Sequence, residues 1–460
     1  MCEACRRLSL VLVIAFVLIS CGGGAPSDPP ANASVSVEVA MSAATPIDIP
    51  IISGASDPFG GNAAGTALLD YDGDGRQDLL ITPSYLYQEP ELPIILLRST
   101  AEGFVDATST AFGGSIPTTG VARTPLVADF NGDGKDDYFA ADHGLEVVRD
   151  GSFIFSENAL FTTGPGATLT ASKLPTLAFN HGACMGDIDS SGRIDIVVTP
   201  LSSPKTYVLR NTESGFVFDQ STLPTELTSY TTMDFNPSSC ALADITGDGT
   251  LDLVAAGYGD GVAAGSPGAP YATGTRVFLN DGTGTFLAST STLPRPPGAD
   301  WGSTSIRVAD FDNDGLRDIL IAFETPDRRF ALQLWMQTSN GVFEDRTVSA
   351  LGGYETSIGF WREMDVADFN GDGHVDIYLR VLGAEQGTFA ESLRQRILLN
   401  DGTGTFAPIT EPIALSQPVA PIFLLPSTST NGTLTLVGYQ ATITGASYTS
   451  LTPLTLMLAF

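Results

Sequence analysis

Six nine-residue segments, each opening and closing on aspartate, recur along this chain at nearly constant spacing. They are Asp70-Tyr-Asp-Gly-Asp-Gly-Arg-Gln-Asp78, Asp129-Phe-Asn-Gly-Asp-Gly-Lys-Asp-Asp137, Asp187-Ile-Asp-Ser-Ser-Gly-Arg-Ile-Asp195, Asp244-Ile-Thr-Gly-Asp-Gly-Thr-Leu-Asp252, Asp310-Phe-Asp-Asn-Asp-Gly-Leu-Arg-Asp318 and Asp368-Phe-Asn-Gly-Asp-Gly-His-Val-Asp376. The first Asp returns after 59, 58, 57, 66 and 58 residues. So steady a period means one supersecondary unit repeated, and many such units can share one closed fold.

Apolar runs flank each segment. Leu126–Ala128 and Ile306–Ala309 precede two of them; Leu79–Ile81, Ile196–Val198, Leu253–Ala255 and Ile319–Ile321 follow others. The segment therefore joins two strands as a hairpin. A second turn signal ending in Gly-x-Phe or Gly-Phe follows, as in Asn280-Asp-Gly-Thr-Gly-Thr-Phe286, Asn400-Asp-Gly-Thr-Gly-Thr-Phe406, Asp150-Gly-Ser-Phe153 and Asn340-Gly-Val-Phe343. That makes four strands in a unit of about 60 residues, the size of a propeller blade with generous loops. The 49 Gly and 29 Pro fall between short apolar runs, and no long helical period appears beyond the N-terminus. The longest interval holds a Gly/Pro-rich insert, 257–275. After the sixth loop, Ile422–Leu425, the turn Pro426–Gly432 and Leu434–Val437 repeat the rhythm without carboxylates. Leu454–Phe460 is expected as a third strand, and Ile47–Ile52 as the fourth, leaving no open edge. The expected fold is an all-β, seven-bladed β-propeller of four-stranded blades, its last blade degenerate and closed by the N-terminal strand. The alternative is six blades with a C-terminal extension.

Aspartates at positions 1, 3, 5 and 9 put up to four oxygen donors in one tight loop, and position 7 can offer its carbonyl. Position 6 is glycine throughout (Gly75, Gly134, Gly192, Gly249, Gly315, Gly373), which suits a backbone other residues adopt with strain. Oxygen-only ligands on a turn suit a hard cation such as Ca²⁺. Carboxylates so close repel one another without one. An EF-hand would need a Glu at position 12 and flanking helices. Position 12 is instead Ile81, Ala140, Val198, Ala255, Ile321 and Leu379, all apolar.

The run Val366-Ala-Asp-Phe-Asn-Gly-Asp-Gly-His-Val-Asp-Ile377, the later Asn400–Phe406 turn and the element Phe343-Glu-Asp-Arg-Thr347 resemble the FG-GAP/VCBS repeats of integrin-α-type β-propellers, roughly over residues 45–410. The resemblance implies seven blades, with Ca²⁺ in hairpin loops on one face and ligands often bound on the other. Carried over by position, it assigns side-chain ligands to Asp70, Asp72, Asp74 and Asp78; Asp129, Asn131, Asp133 and Asp137; and Asp187, Asp189, Ser191 and Asp195. The later loops supply Asp244, Thr246, Asp248 and Asp252; Asp310, Asp312, Asp314 and Asp318; and Asp368, Asn370, Asp372 and Asp376. Arg76, Lys135, Arg193, Thr250, Leu316 and His374 would contribute backbone carbonyls, for up to six ions. The third and fourth sites, with Ser191 and Thr246, are expected to be weakest.

Residues 1–20 read as a signal peptide. Arg6 and Arg7 precede the apolar run Leu8–Ile19, too short to span a bilayer comfortably. Leu18-Ile19-Ser20-Cys21 resembles a bacterial lipobox, making Cys21 the lipidated residue, with 21–43 a Gly/Pro/Ser-rich tether and 44–460 the propeller. Cys2 and Cys5 leave with the signal. Cys184 and Cys240 sit one repeat apart, and either a bridge or two buried thiols is open. A formal charge of -30 argues against nucleic acid and against anionic membrane held by bulk charge. The three histidines, His143, His181 and His374, read as loop residues, and no catalytic motif appears. The expected protein is a non-enzymatic, monomeric binding or adhesion module of the cell envelope, lipid-anchored and extracytoplasmic, with a protein or glycan ligand on loops such as 257–275 and 295–301. Alternatives are a polysaccharide-active lyase or hydrolase and an envelope assembly scaffold.

Overall fold

Each aspartate segment closes the same hairpin in the same register. In the computed structural model the last residue of the preceding strand pairs with the position-9 aspartate every time: Leu69 with Asp78, Ala128 with Asp137, Gly186 with Asp195, Ala243 with Asp252, Ala309 with Asp318 and Ala367 with Asp376. The structure describes residues 39–41, 46–53, 65–83, 91–145, 148–149, 152–153, 155–229, 235–257, 274–288, 291–294, 302–324, 330–354, 361–381, 396–409, 423–430, 432–444 and 447–460.

Seven four-stranded antiparallel blades form a ring. Blade 1 runs from Ala67–Leu69 to Gly103–Asp106, blade 2 from Ala122–Ala128 to Thr168–Ala178, and blade 3 from Asn180–Gly186 to Gly215–Asp219. Blade 4 runs from Pro237–Ala243 to Ser291–Leu293, blade 5 from Ser303–Ala309 to Val342–Asp345, and blade 6 from Trp361–Ala367 to Phe406–Pro408. Blade 7 is Phe423–Thr430, Thr433–Thr444 and Ser447–Ala459, with Ile47–Ser53 added to the last of these. The first strands of successive blades lie side by side around the ring, and Phe423–Thr430 touches both blade 6 and Ala67–Leu69 of blade 1.

The apolar core lies between blades rather than within one. Leu80, Leu96 and Tyr71 of blade 1 pack on Tyr138 and Phe161 of blade 2, and Phe311, Leu320 and Leu334 of blade 5 on Met364, Ile377 and Leu398 of blade 6. The second strand of a blade is therefore covered on both faces. This explains why Asp137–Asp142 and Asp252–Gly257 are buried at every residue and read as continuous apolar runs, not alternating ones.

Each Phe-x-Asp-x-Thr element is a local lock. Asp345 Oδ1 accepts the Thr347 N–H at 3.0 Å, starting the four-residue helix Thr347–Ala350, while Thr347 Oγ1 accepts the Leu334 N–H at 3.1 Å. Asp106 and Thr108 repeat this in blade 1.

Two expectations are corrected. The Asp150–Phe153 signal is not the outer turn of blade 2: Val148–Arg149 and Ser152–Phe153 form a separate small hairpin, and the outer strands meet across Gly164–Thr168. Glycine followed by phenylalanine marks a tight turn without saying which hairpin it closes. Within the expected tether 21–43, Val39–Met41 is a strand paired with Leu456–Leu458. The expected signal peptide, Cys21 and residues 295–301 lie outside the described residues, as does 258–273 of the insert.

Candidate functional site

The aspartate loops are folded by their own carboxylates. The position-1 Asp accepts the N–H of position 5 on one oxygen and of position 6 on the other, at 2.8–3.1 Å in all six. Position 5 then accepts the N–H of position 7, as at Asp74, Asp133, Asp248, Asp314 and Asp372, with the Ser191 hydroxyl in the third loop. This winding needs left-handed residues at positions 4 and 6. Position 6 is always glycine, with φ between +80° and +90°; position 4 is glycine in four loops and Ser190 (φ +58°) or Asn313 (φ +60°) in the others.

The position-9 aspartates fasten each loop to its blade. Asp78, Asp137, Asp195, Asp252, Asp318 and Asp376 are all essentially without exposed surface. One oxygen accepts a backbone N–H from the third strand of the blade or, at Asn280, from just beyond it: Ser99, Thr163, Asn211, Asn280, Gln337 or Asn400, at 2.6–2.9 Å. The other accepts the position-2 N–H in five of the loops. Burial pushes these carboxyls up, to about 7 at Asp78, Asp318 and Asp376, against the lowering effect of the donated N–H groups; those of Asp137, Asp195 and Asp252 are also raised by burial.

Positions 1, 3 and 9 converge. In the first, third and fifth loops, Asp70/Asp72/Asp78, Asp187/Asp189/Asp195 and Asp310/Asp312/Asp318 each place one oxygen within 4.8 Å of the others. In the second, fourth and sixth loops, position 3 is Asn131, Thr246 or Asn370, so fewer carboxylates meet. An all-oxygen donor set, ordered by its own N–H network and holding partly buried carboxylates side by side, fits a hard divalent cation. In the third loop Ser191 removes the position-5 carboxylate and leaves the acidic trio of positions 1, 3 and 9 together.

The position-7 side chains do more than the sequence suggested. Arg76 pairs with Asp74, and the His374 Nδ1 lies 2.9 Å from the Asn313 amide nitrogen of blade 5. Cys184 and Cys240 are disulfide-bonded, with Cα atoms 5.6 Å apart, tying the first strand of blade 3 to that of blade 4. His143 is not an exposed loop residue: it is 3% exposed, stacked on Phe179 at 4.8 Å and edge-on to His181.

A second recurring group escaped the sequence reading. Third-strand amides reach back to the carbonyl at position 2 of the preceding blade's loop: Asn211 to Phe130 (2.7 Å), Asn280 to Ile188 (2.8 Å), Gln337 to Ile245 (3.4 Å) and Asn400 to Phe311 (2.8 Å). Each candidate metal loop from the second to the fifth is thus tied to the next blade. The Asn-Asp-Gly turns hinted at it, since Asn280 and Asn400 open them; Asn211 and Gln337 carry no such signal.

No curated protein matches the chain. The family model for the FG-GAP-like repeat matches residues 70–140, 187–255, 257–321 and 313–379, together more than half of the chain. Its matched spans contain all six aspartate loops whole. The chain belongs to the FG-GAP-like repeat family.

Proposed function

We propose that this protein is a calcium-loaded β-propeller, held at the bacterial cell envelope by a lipid on Cys21, where it acts as a monomeric, extracytoplasmic binding or adhesion module for a protein or glycan ligand and performs no catalysis. The observation that carries the calcium part is the recurrent meeting of carboxylates from positions 1, 3 and 9, with position 9 buried and shifted up. Ca²⁺ supplies the positive charge that lets these carboxylates ionise together. The chain's own residues do the rest: position 1 orders the loop, position 9 fastens it to the third strand, and positions 3 and 5 complete the oxygen set. One chain closes its own ring, which supports a monomer.

Up to six ions bound to the folded state alone stabilise it by mass action, about 3 kcal/mol per site when free calcium is a hundredfold above Kd. The melting temperature is expected to fall by on the order of 10 °C or more in chelator and to return with Ca²⁺. An unchanged melt rules out calcium as a structural ion. For the ligand, a glycan array is paired with a polymer-degradation assay on the soluble domain: retention without product release supports a binding module, and product release overturns it. Metabolic labelling with a fatty-acid analogue tests the anchor, expected in the native sequence and lost in Cys21→Ser.

A further inference from the structure

The third and fifth loops present the same acidic trio, but what stands beside them differs. The pairing of Ile196 with Leu209 in blade 3 and of Ile319 with Trp335 in blade 5 puts Arg210 and Met336, one residue on, at equivalent places. Equivalent turns of the next blade cover both. A Cβ on Gly284 would lie 2.6 Å from Arg210 and 2.9 Å from Asp189, and one on Gly404 would run into Met336 and lie 3.5 Å from Asp312.

The Arg210 side chain is 12% exposed and held from several directions. Its Nη1 lies 3.5 Å from Asp189 Oδ2 and 3.5 Å from Asp195 Oδ2, and its Nε 3.5 Å from Asp219 Oδ2. Its Nη2 donates to Thr222 Oγ1 at 3.1 Å and to the Gly284 carbonyl at 2.5 Å. Positions 3 and 9 of the third loop therefore already face a cation. At the fifth loop the same place holds an uncharged thioether.

We propose that the Arg210 guanidinium is the built-in counter-cation of the third loop and keeps Ca²⁺ out of it, so that of these two matched loops only the fifth takes the ion. The inference rests on the calcium reading above. A guanidinium cannot shed its proton at any ordinary pH. A Ca²⁺ ligated at about 2.3–2.6 Å by the Asp189 and Asp195 oxygens would sit against that fixed positive charge. Arg210 cannot swing aside without giving up Asp219, Thr222 and Gly284. The first loop shows the contrast: among the described residues Arg98, at the matching place, makes one ion pair, 3.9 Å from Asp72, and its side chain is 43% exposed, so it can move into solvent and leave that loop to the ion.

Bound calcium is counted by native mass spectrometry and calorimetry on the wild-type propeller, Asp189→Asn, Asp312→Asn and Arg210→Met. Asp312→Asn is expected to lose one ion and Asp189→Asn none, while Arg210→Met gains one ion that Arg210→Met/Asp189→Asn loses again. An ion lost from the wild type on Asp189→Asn overturns the inference and leaves the calcium reading standing, as does a folded Arg210→Met with no added ion. If Arg210→Met does not fold, the Asp189→Asn count alone decides. A wild type that binds no calcium overturns the calcium reading and this inference together.

Discussion

Asp318 has no exposed surface, yet its two oxygens take the N–H groups of Phe311 and Gln337 at 2.8 Å each. Replacing it with alanine strands two buried donors, each costing about 1–3 kcal/mol. Asp318→Ala is therefore expected to lower the unfolding free energy by about 2–6 kcal/mol in urea titrations, even in chelator, where ligation is irrelevant. A loss seen only with calcium present would mean that the residue acts as a ligand alone. The same burial gives the metal-free protein a pH dependence. A carboxyl near 3.8 when unfolded and near 7 when folded binds its proton more tightly in the fold. Its contribution is present at low pH and is lost as pH rises from about 4 through about 7. In chelator, the melting temperature should be higher at about pH 5 than at about pH 8, and calcium should flatten or reverse that slope. At this scale the sequence was informative about what each loop contains. Arg210 was invisible because it meets Asp189 only after the chain has passed through a strand, a turn and another strand.

The loop-flanking hairpin was legible because its signals are local: carboxylates, glycines and apolar runs within a few residues of one another. What joins one hairpin to the next was not. Asn400 reaches Phe311 across 89 residues, and no spacing rule announces it. Asn400→Ala removes that bond and the one to Val375, and it is expected to cost about 1–3 kcal/mol, read from the denaturation midpoint. The next residue, Asp401, caps only its own exposed turn, accepting the Thr403 N–H at 2.8 Å, so Asp401→Ala serves as a milder neighbouring control. The bridge between Cys184 and Cys240 is the covalent version of the same junction, closing a loop of sequence separation 56. Constraining the unfolded chain over such a loop is worth about 2–4 kcal/mol. Reduction, or Cys184→Ala/Cys240→Ala, should lower the melting temperature while leaving the far-UV spectrum of the folded protein unchanged; an unaltered melt would show that blades 3 and 4 hold without it.

Counting repeats foretold the ring, including a seventh blade whose first hairpin turn has no carboxylates, because the strand–turn–strand rhythm is there without them. The outer end of that blade was less legible: Ile47–Ile52 was foreseen as its closing strand and forms it as Ile47–Ser53, but Val39–Met41, pairing with the far part of the same partner strand, was hidden by the polar composition around it. Removing the residues up to Ser53 should bare the edge of Ser447–Ala459 and favour edge-to-edge pairing between copies, visible as dimers or larger species by light scattering coupled to size exclusion. A truncated chain that stays monomeric with an unchanged melt would mean the added strand is dispensable. Ile47 pairs with Leu451, a residue made only after all six preceding blades. Closing so long a separation is slow relative to local hairpins. The fold therefore has an order in time: a nascent chain can zip up individual blades as they emerge but remains an open arc until Ser447–Ala459 is released. Ile47–Ser53 waits across six blades for its partner, and a translation arrest anywhere before residue 447 leaves a species with two bare ends for chaperones or proteases to find.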